Sequence, residues 1–281
     1  MAVALLCIGG FPPLSTIILG MITVFSGYTC IYALNDVTDY QLDRKRMGEL
    51  SNKPVCFDLD CIFVRHPIAQ GFISLSGGVA WTAFWGIVAL VGATLLNPVC
   101  ALIFIFGAVL EVIYCRLYQY SQWKILIAAT VKNLGAMAAI FAVNPNPPVQ
   151  FMIVIFLWIA FWEVGGQNIP NDLVDMAEDG RLGAKTVPVV YGPNAAVVVV
   201  LATLIAAFML GLGLVFLSPL QLKGLYLLGG ILSGAFFLLL PLRRFIQDRE
   251  PSKAINLFNQ ASLYPVGILL TTVLCILFHY L

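Results

Sequence analysis

Ala195-Ala-Val-Val-Val-Val-Leu-Ala-Thr-Leu-Ile-Ala-Ala-Phe-Met-Leu-Gly-Leu-Gly-Leu-Val-Phe-Leu217 runs for a full helical crossing without one charged residue. A helix needs about 20 apolar residues to traverse the hydrocarbon core of a bilayer. This run meets that length, and it is not alone. Similar runs lie near 14–34, 72–96, 99–118, 125–143, 149–166, 222–242 and 259–281, which makes eight candidate spans. Alternating polarity in segments of about ten residues, the mark of a membrane β-barrel, is absent. The expected fold is therefore an all-α, polytopic membrane helix bundle. Composition agrees. Of the 281 residues 60% are hydrophobic and 10% charged, with mean hydropathy +0.95. A soluble domain carries about 25% charged residues, so an ordinary soluble enzyme, a disordered chain and a nucleic-acid binder are all excluded. The net charge of +1 points to no partner. The seven cysteines are scattered, mostly through apolar runs, and read as small membrane-core residues. No Lys or Arg precedes Arg44, so the N-terminus lacks the positive region of a secretory signal.

The basic residues set an expected orientation. If the loops after spans 1, 3, 5 and 7 face the cytoplasm, that side holds 13 of the 15 Lys and Arg residues. Lys223 lies opposite and Lys132 inside a span. Such a bias is the positive-inside signature. Twelve of the 14 acidic residues fall on the same side, and Glu111 and Glu163 lie within spans. The outer loops are short, whereas the inner segments near 35–71 and 167–194 are long and polar. Chemistry is expected on that face, in the cytoplasm.

Both long segments carry Asn-Asp-x2-Asp-x3-Asp. The first reads Asn35, Asp36, Asp39, Asp43, and the second Asn171, Asp172, Asp175, Asp179. Every member recurs at one offset: 171 − 35, 172 − 36, 175 − 39 and 179 − 43 all equal 136. The chain thus reads as one domain built from two pseudo-repeats, about 14–143 and 149–281. On a helix, positions i, i+3 and i+7 share a face, so each motif is expected to align three carboxylates in one stripe. Like charges at this spacing repel, and a cation is needed to offset them. Oxygen ligands suit Mg²⁺, which bridges carboxylates to substrate phosphates. Asp36, Asp39, Asp43, Asp172, Asp175 and Asp179 are the expected metal ligands and catalytic residues. Arg44, Lys45, Arg46, Lys53, Arg181 and Lys185 are placed to bind the remaining phosphate oxygens.

These residues resemble the UbiA superfamily of intramembrane prenyltransferases. The likeness rests on the paired aspartate motifs, on Asn52-Lys53-Pro54, and on Gly183-Ala-Lys185-Thr186-Val-Pro188 with Gly192. Tyr114 through Lys124 is similar to the family's Tyr-rich, basic third loop. The resemblance implies Mg²⁺-dependent transfer of a prenyl group from a polyprenyl diphosphate to a small acceptor, expected to be aromatic, although the second motif looks closer to members handling homogentisate, chlorophyllide or archaeal lipid acceptors than to 4-hydroxybenzoate enzymes. It places Asn35, Tyr118, Lys124, Asn168 and Asn171 with the substrates. Tyr114, Tyr118, Phe161 and Trp162 offer aromatic faces to an allylic cation. The family usually has nine membrane helices, and eight are visible here. Residues 1–11 read as the tail of a helix whose beginning is missing, with Pro12-Pro13 as its connection. Residues 55–70 depart from the family's loop, and Cys56, Cys61 and His66 match no standard zinc spacing.

An acid inside a span is costly and usually functional. Glu163 is expected either to approach the second motif or to pair with Lys132. Glu111 is expected either to pair with Arg116 or to act in catalysis. Three other readings compete: a repeat-built transporter, a truncated non-catalytic relative, and a CDP-alcohol phosphotransferase. A transporter would set its carboxylates near the bilayer midplane, whereas these cluster at one face. The phosphotransferase signature Asp-Gly-x2-Ala-Arg is absent.

Overall fold

A computed structural model describes residues 1–49 and 66–279, with side chains for 1–45 and 66–279. Among the described residues all regular structure is helical. The helices are α1 (Ala2–Ile8), α2 (Leu14–Thr38), α3 (Tyr40–Glu49), α4 (Leu75–Leu96), α5 (Pro98–Leu117), α6 (Lys124–Phe141) and α7 (Val149–Trp162). A π-helical segment (Glu163–Asn168) leads into α8 (Ile169–Val174) and α9 (Met176–Arg181). There follow α10 (Val187–Leu217), α11 (Lys223–Gly234), a second π-helical segment (Ala235–Leu239), α12 (Leu240–Gln247) and α13 (Pro251–His279). Eight of the described helices, counting α7 with α8 and α11 with α12 as continuous runs, are long and apolar enough to cross a membrane.

In hydrocarbon a backbone has no water to bond, so helices are the one local solution for these runs. Their ends follow the sequence. Asn97 caps α5, its side chain accepting from Val99 N at 2.9 Å, and Pro98 fits the first turn, where no N–H partner is needed. Ser74 caps α4 by accepting from Gly77 N at 3.1 Å. In α10, Gly192 takes φ 83° and precedes Pro193, which bends the helix.

The helices meet in the same order in each half. In the first, α2 packs on α4, α4 on α5 and α5 on α6; in the second, α7 packs on α10, α10 on α11 and α11 on α13. The halves join where α6 meets α7. The larger core is centred on the second half, with Phe151, Trp158, Tyr226, Phe245 and Tyr264, and extends to α1 and α6 through Leu5, Leu6 and Ile140. Outward faces are apolar too, with Phe25, Trp81, Phe84, Leu102 and Phe216 all exposed, as a lipid-facing surface requires. Helix α1 is buried between α6 and α13, with Leu5 and Leu6 in the core, and ends at Gly9 with φ 65°. Residues 2–8 are thus helical and connect to α2 through Pro12-Pro13.

Candidate active site

The two aspartate motifs have the same backbone. Helix α2 runs through Asn35 and Asp36 and stops at Asp39, with φ −95° and ψ 6°; α3 then carries Asp43. Helix α8 holds Asn171 and Asp172 and stops at Asp175, with φ −92° and ψ 4°; α9 then carries Asp179. The hydrogen bonds match as well. Asp39 N donates to Asn35 O and Asp43 N to Asp39 O, while Asp175 N donates to Asn171 O and Asp179 N to Asp175 O. The expected single helical stripe is therefore corrected to two short arms meeting at the middle aspartate. That residue sits in the sparsely populated bridge region, where active-site residues are often found. A break there relieves the alignment of three like charges along one continuous helix.

One helix joins the two motifs. Asn35 Nδ2 donates to Glu111 Oε1 at 2.7 Å, and Tyr118 Oη donates to Asp179 Oδ1 at 2.6 Å. Glu111 and Tyr118 are seven residues apart at the C-terminal end of α5, a rise of about 10 Å. The ring of Tyr114, between them, feels the charges of both Asp39 and Asp172. The two motifs thus converge on one end of the bundle. Glu111 partners Asn35, and the expected alternative of an Arg116 pair gives way to this contact. Helix α7 reaches the second motif through the π-helical turn, a feature common at functional sites. Gly165 and Gly166 lie there against Thr203, Leu204 and Ala261 with no room for a side chain at Gly165.

His66 belongs to the first motif, which spacing alone did not reveal. Its Nδ1 lies 3.2 Å from Asp36 Oδ1 and 2.9 Å from Asp43 Oδ2. The Nδ1–Asp36 contact has hydrogen-bond geometry. The shorter Asp43 contact does not, so buried Asp43 Oδ2 has a charge neighbour but no hydrogen-bond donor among the described residues. One ring N–H cannot serve two oxygens well. Burial acts to lower the imidazole pKa, but the Asp36 hydrogen bond and the two close carboxylate charges of Asp36 and Asp43 outweigh it and raise it to about 9. His66 also takes φ 52°, a conformation uncommon for a residue with a side chain. Its signal in the sequence was weak: a histidine 30 residues from its partner, in a segment unlike the rest. Cys56 and Cys61 lie outside the described residues.

The basic residues are placed less uniformly. Arg44 and Lys45 are exposed on α3, with Arg44 Nη1 3.4 Å from Tyr40 Oη. Lys53 and the side chain of Arg46 lie outside the described residues. Arg181 is exposed and its Nε donates to Ala177 O at 3.3 Å. Lys185 is tied to α5 by its backbone N, which donates to Tyr118 O at 2.9 Å, while its side chain is exposed. Lys124 is buried, with Nζ 4.6 Å from the centre of the Tyr118 ring and 5.5 Å from that of Tyr114. The expected Tyr118–Lys124 grouping is thus a physical cluster beside Asp179.

Polar groups continue toward the middle of the bundle. Asn168 Nδ2 donates to Glu163 Oε1 at 2.9 Å, and Lys132 Nζ donates to Tyr32 Oη at 3.3 Å. Lys132 lies in the fields of both Glu163 and Glu111. Glu163 thus accepts from Asn168, three residues before the second motif, and its charge acts on Lys132. Beyond them opens a cavity of about 380 Å³, lined by Val3, Tyr28, Lys132, Trp158, Trp162 and Tyr264 among others. Trp162 is fixed by Nε1 donating to Ala261 O at 2.8 Å. Phe161 does not line this cavity.

The donor set fits a hard divalent cation: carboxylates from two arms, an orphaned buried oxygen on Asp43, and flanking cations for a phosphate. Known proteins resemble the chain in sequence and in fold. The chain is 25% identical over 197 residues to the digeranylgeranylglyceryl phosphate synthase of Methanobrevibacter smithii, a match covering 67% of this chain and 63% of that protein. It is 26% identical over 238 residues to the enzyme of the same name from Methanococcoides burtonii, covering 82% of this chain and 75% of that one. Its fold is similar to that of a UbiA homologue from Archaeoglobus fulgidus bound to GPP and Mg²⁺, with TM-score 0.67 at 14% identity over 97% of this chain and 92% of the other. Residues 1–263 match the UbiA prenyltransferase family, and the chain belongs to that family.

Proposed function

We propose that the protein transfers a prenyl group from an allylic diphosphate to an acceptor, with Mg²⁺ held by the two aspartate motifs. The observation that carries this reading is the convergence of both motifs on α5 through Asn35–Glu111 and Tyr118–Asp179. Breaking the allylic carbon–oxygen bond leaves negative charge on diphosphate and positive charge on the allyl group. Bound Mg²⁺ supplies charge stabilisation to the diphosphate. Asp36, Asp39, Asp43, Asp172, Asp175 and Asp179 hold it, and Arg44, Lys45, Arg181 and Lys185 receive the outer phosphate oxygens. Tyr114 and Tyr118 face the electron-poor carbon with their ring surfaces. The apolar cavity takes hydrocarbon, and the aspartate motifs face the cytoplasm on the strength of the positive-inside bias.

The acceptor divides two readings. The sequence resemblance favours an aromatic ring. The named relatives favour a hydroxyl of a glyceryl phosphate lipid, and Lys132 offers the cavity a cation for an anionic head. The glyceryl phosphate reading has the better support. Membranes containing the protein would be incubated with labelled geranylgeranyl diphosphate, Mg²⁺ and either a prenylglyceryl phosphate or an aromatic acid panel, and products identified by mass spectrometry. A prenylated glyceryl phosphate is expected. Prenylated aromatic product alone would reverse the choice of acceptor, and no prenyl transfer with either class would overturn the enzymatic reading.

A further inference from the structure

The first motif holds a donor that an all-oxygen Mg²⁺ site does not need. His66 Nδ1, Asp36 and Asp43 each offer one ligand atom, and the three lie within 4.8 Å of one another. They come from three separate elements: the end of α2, α3, and the turn preceding α4. The nitrogen is 3.2 Å from Asp36 Oδ1 and 2.9 Å from Asp43 Oδ2. Neighbouring ligands at right angles around an octahedral ion, each about 2.1 Å from it, are about 3 Å apart. Both nitrogen–oxygen distances match that spacing. The contact to Asp36 has hydrogen-bond geometry; that to Asp43 is an ion pair when the imidazole is protonated but lacks such geometry, and Asp43, 2% exposed, has no hydrogen-bond donor to its Oδ2 among the described residues. A buried carboxylate oxygen left in this way is satisfied by a cation.

We propose that His66 is a third protein ligand to the ion held by Asp36 and Asp43, so that this site prefers a borderline divalent ion such as Mn²⁺ to Mg²⁺. Imidazole binds first-row transition metals well, whereas Mg²⁺ favours oxygen and keeps its waters. The second motif has no such nitrogen to use. The chain has two histidines, and the other, His279, closes α13 at the end remote from Pro251. The two motifs, matched in backbone, therefore differ in the chemistry of their ions. This inference rests on the reading of the first motif as an ion site.

The test is pulsed electron paramagnetic resonance on the purified full chain in lipid nanodiscs with one equivalent of Mn²⁺, alongside Mn²⁺ and Mg²⁺ binding isotherms. Wild type is expected to show ¹⁴N coupling from one imidazole. His66→Gln should lose that coupling and about 10-fold or more of its Mn²⁺ affinity, with Mg²⁺ affinity changed far less. Bound Mn²⁺ without ¹⁴N coupling in wild type overturns the proposal, and this measurement needs no variant to fold. Asp36→Asn separates the two readings. If it loses Mn²⁺ binding while His66→Gln does not, the ion site stands and the histidine ligand falls. If neither variant alters Mn²⁺ binding, both fall.

Discussion

Tyr118 Oη donates a 2.6 Å hydrogen bond to Asp179 Oδ1, and both side chains are buried. The phenol closes the C-terminal end of α5, and the carboxylate is the last of the second motif. Through this bond the helix that touches Asn35 of the first motif also orients the second. Lys124 above the Tyr118 ring sets a cation against the same pair.

Replacing Tyr118 with Phe removes the donor and keeps the ring. A hydrogen bond to a charged group contributes about 1.5–3 kcal/mol. Turnover should fall about 10- to 100-fold, and thermal unfolding in detergent should shift down by a few degrees. Steady-state kinetics beside a melting curve would check this, and unchanged turnover would show that Asp179 does not need the phenol.

Glu111 distinguishes acceptor from charge. Glu111→Gln keeps an oxygen for Asn35 Nδ2, whereas Glu111→Ala leaves the amide of a part-buried asparagine without its 2.7 Å partner. The alanine variant should lose at least about 1–3 kcal/mol of stability or an equivalent share of activity. The glutamine variant should lie between it and wild type. Equal loss in both would assign Glu111 a role for its charge.

Metal dependence should be complete. EDTA is expected to stop prenyl transfer and excess Mg²⁺ to restore it. Asp36→Ala and Asp172→Ala should each abolish turnover while the folded protein remains in the membrane. Near wild-type activity of either variant at saturating Mg²⁺ would remove that motif from the site.

Packing in the second half should be intolerant of one methyl group. A Cβ at Gly211 would stand 2.2 Å from Tyr264 Oη and 2.8 Å from Trp158 Nε1. Those side chains are already joined at 3.3 Å, and Tyr226 Oη donates to Gly211 O. Gly211→Ala should destabilise the protein by about 1–3 kcal/mol, read as a lower midpoint of thermal aggregation. An unshifted midpoint would mean that the helices can part there.

Orientation can be read with single cysteines in a background lacking the seven native ones. Lys45→Cys and Gly180→Cys should resist an impermeant thiol reagent in intact cells and react in inverted vesicles. Asn146→Cys, between α6 and α7, should do the reverse. Labelling of Gly180→Cys but not Lys45→Cys from outside would contradict the shared face.

The apolar runs and the offset of 136 were legible in the amino-acid sequence because both are local. Twenty apolar residues must become a helix in hydrocarbon, where the backbone has no other partner, and all eight runs did so. Four residues repeated at one spacing are a local signal, and their backbones match, with φ −95° and ψ 6° at Asp39 against φ −92° and ψ 4° at Asp175. Tertiary structure decided the rest. The helix breaks at the middle aspartates arise where three like charges meet packed neighbours, which periodicity cannot register. Asn35 met Glu111 across 76 residues, Tyr118 met Asp179 across 61, and His66 met Asp36 across 30. Contacts of that range depend on how α2, α5 and the turn before α4 pack against one another. A histidine in an unfamiliar segment carries no mark of its partners until packing brings it beside two carboxylates.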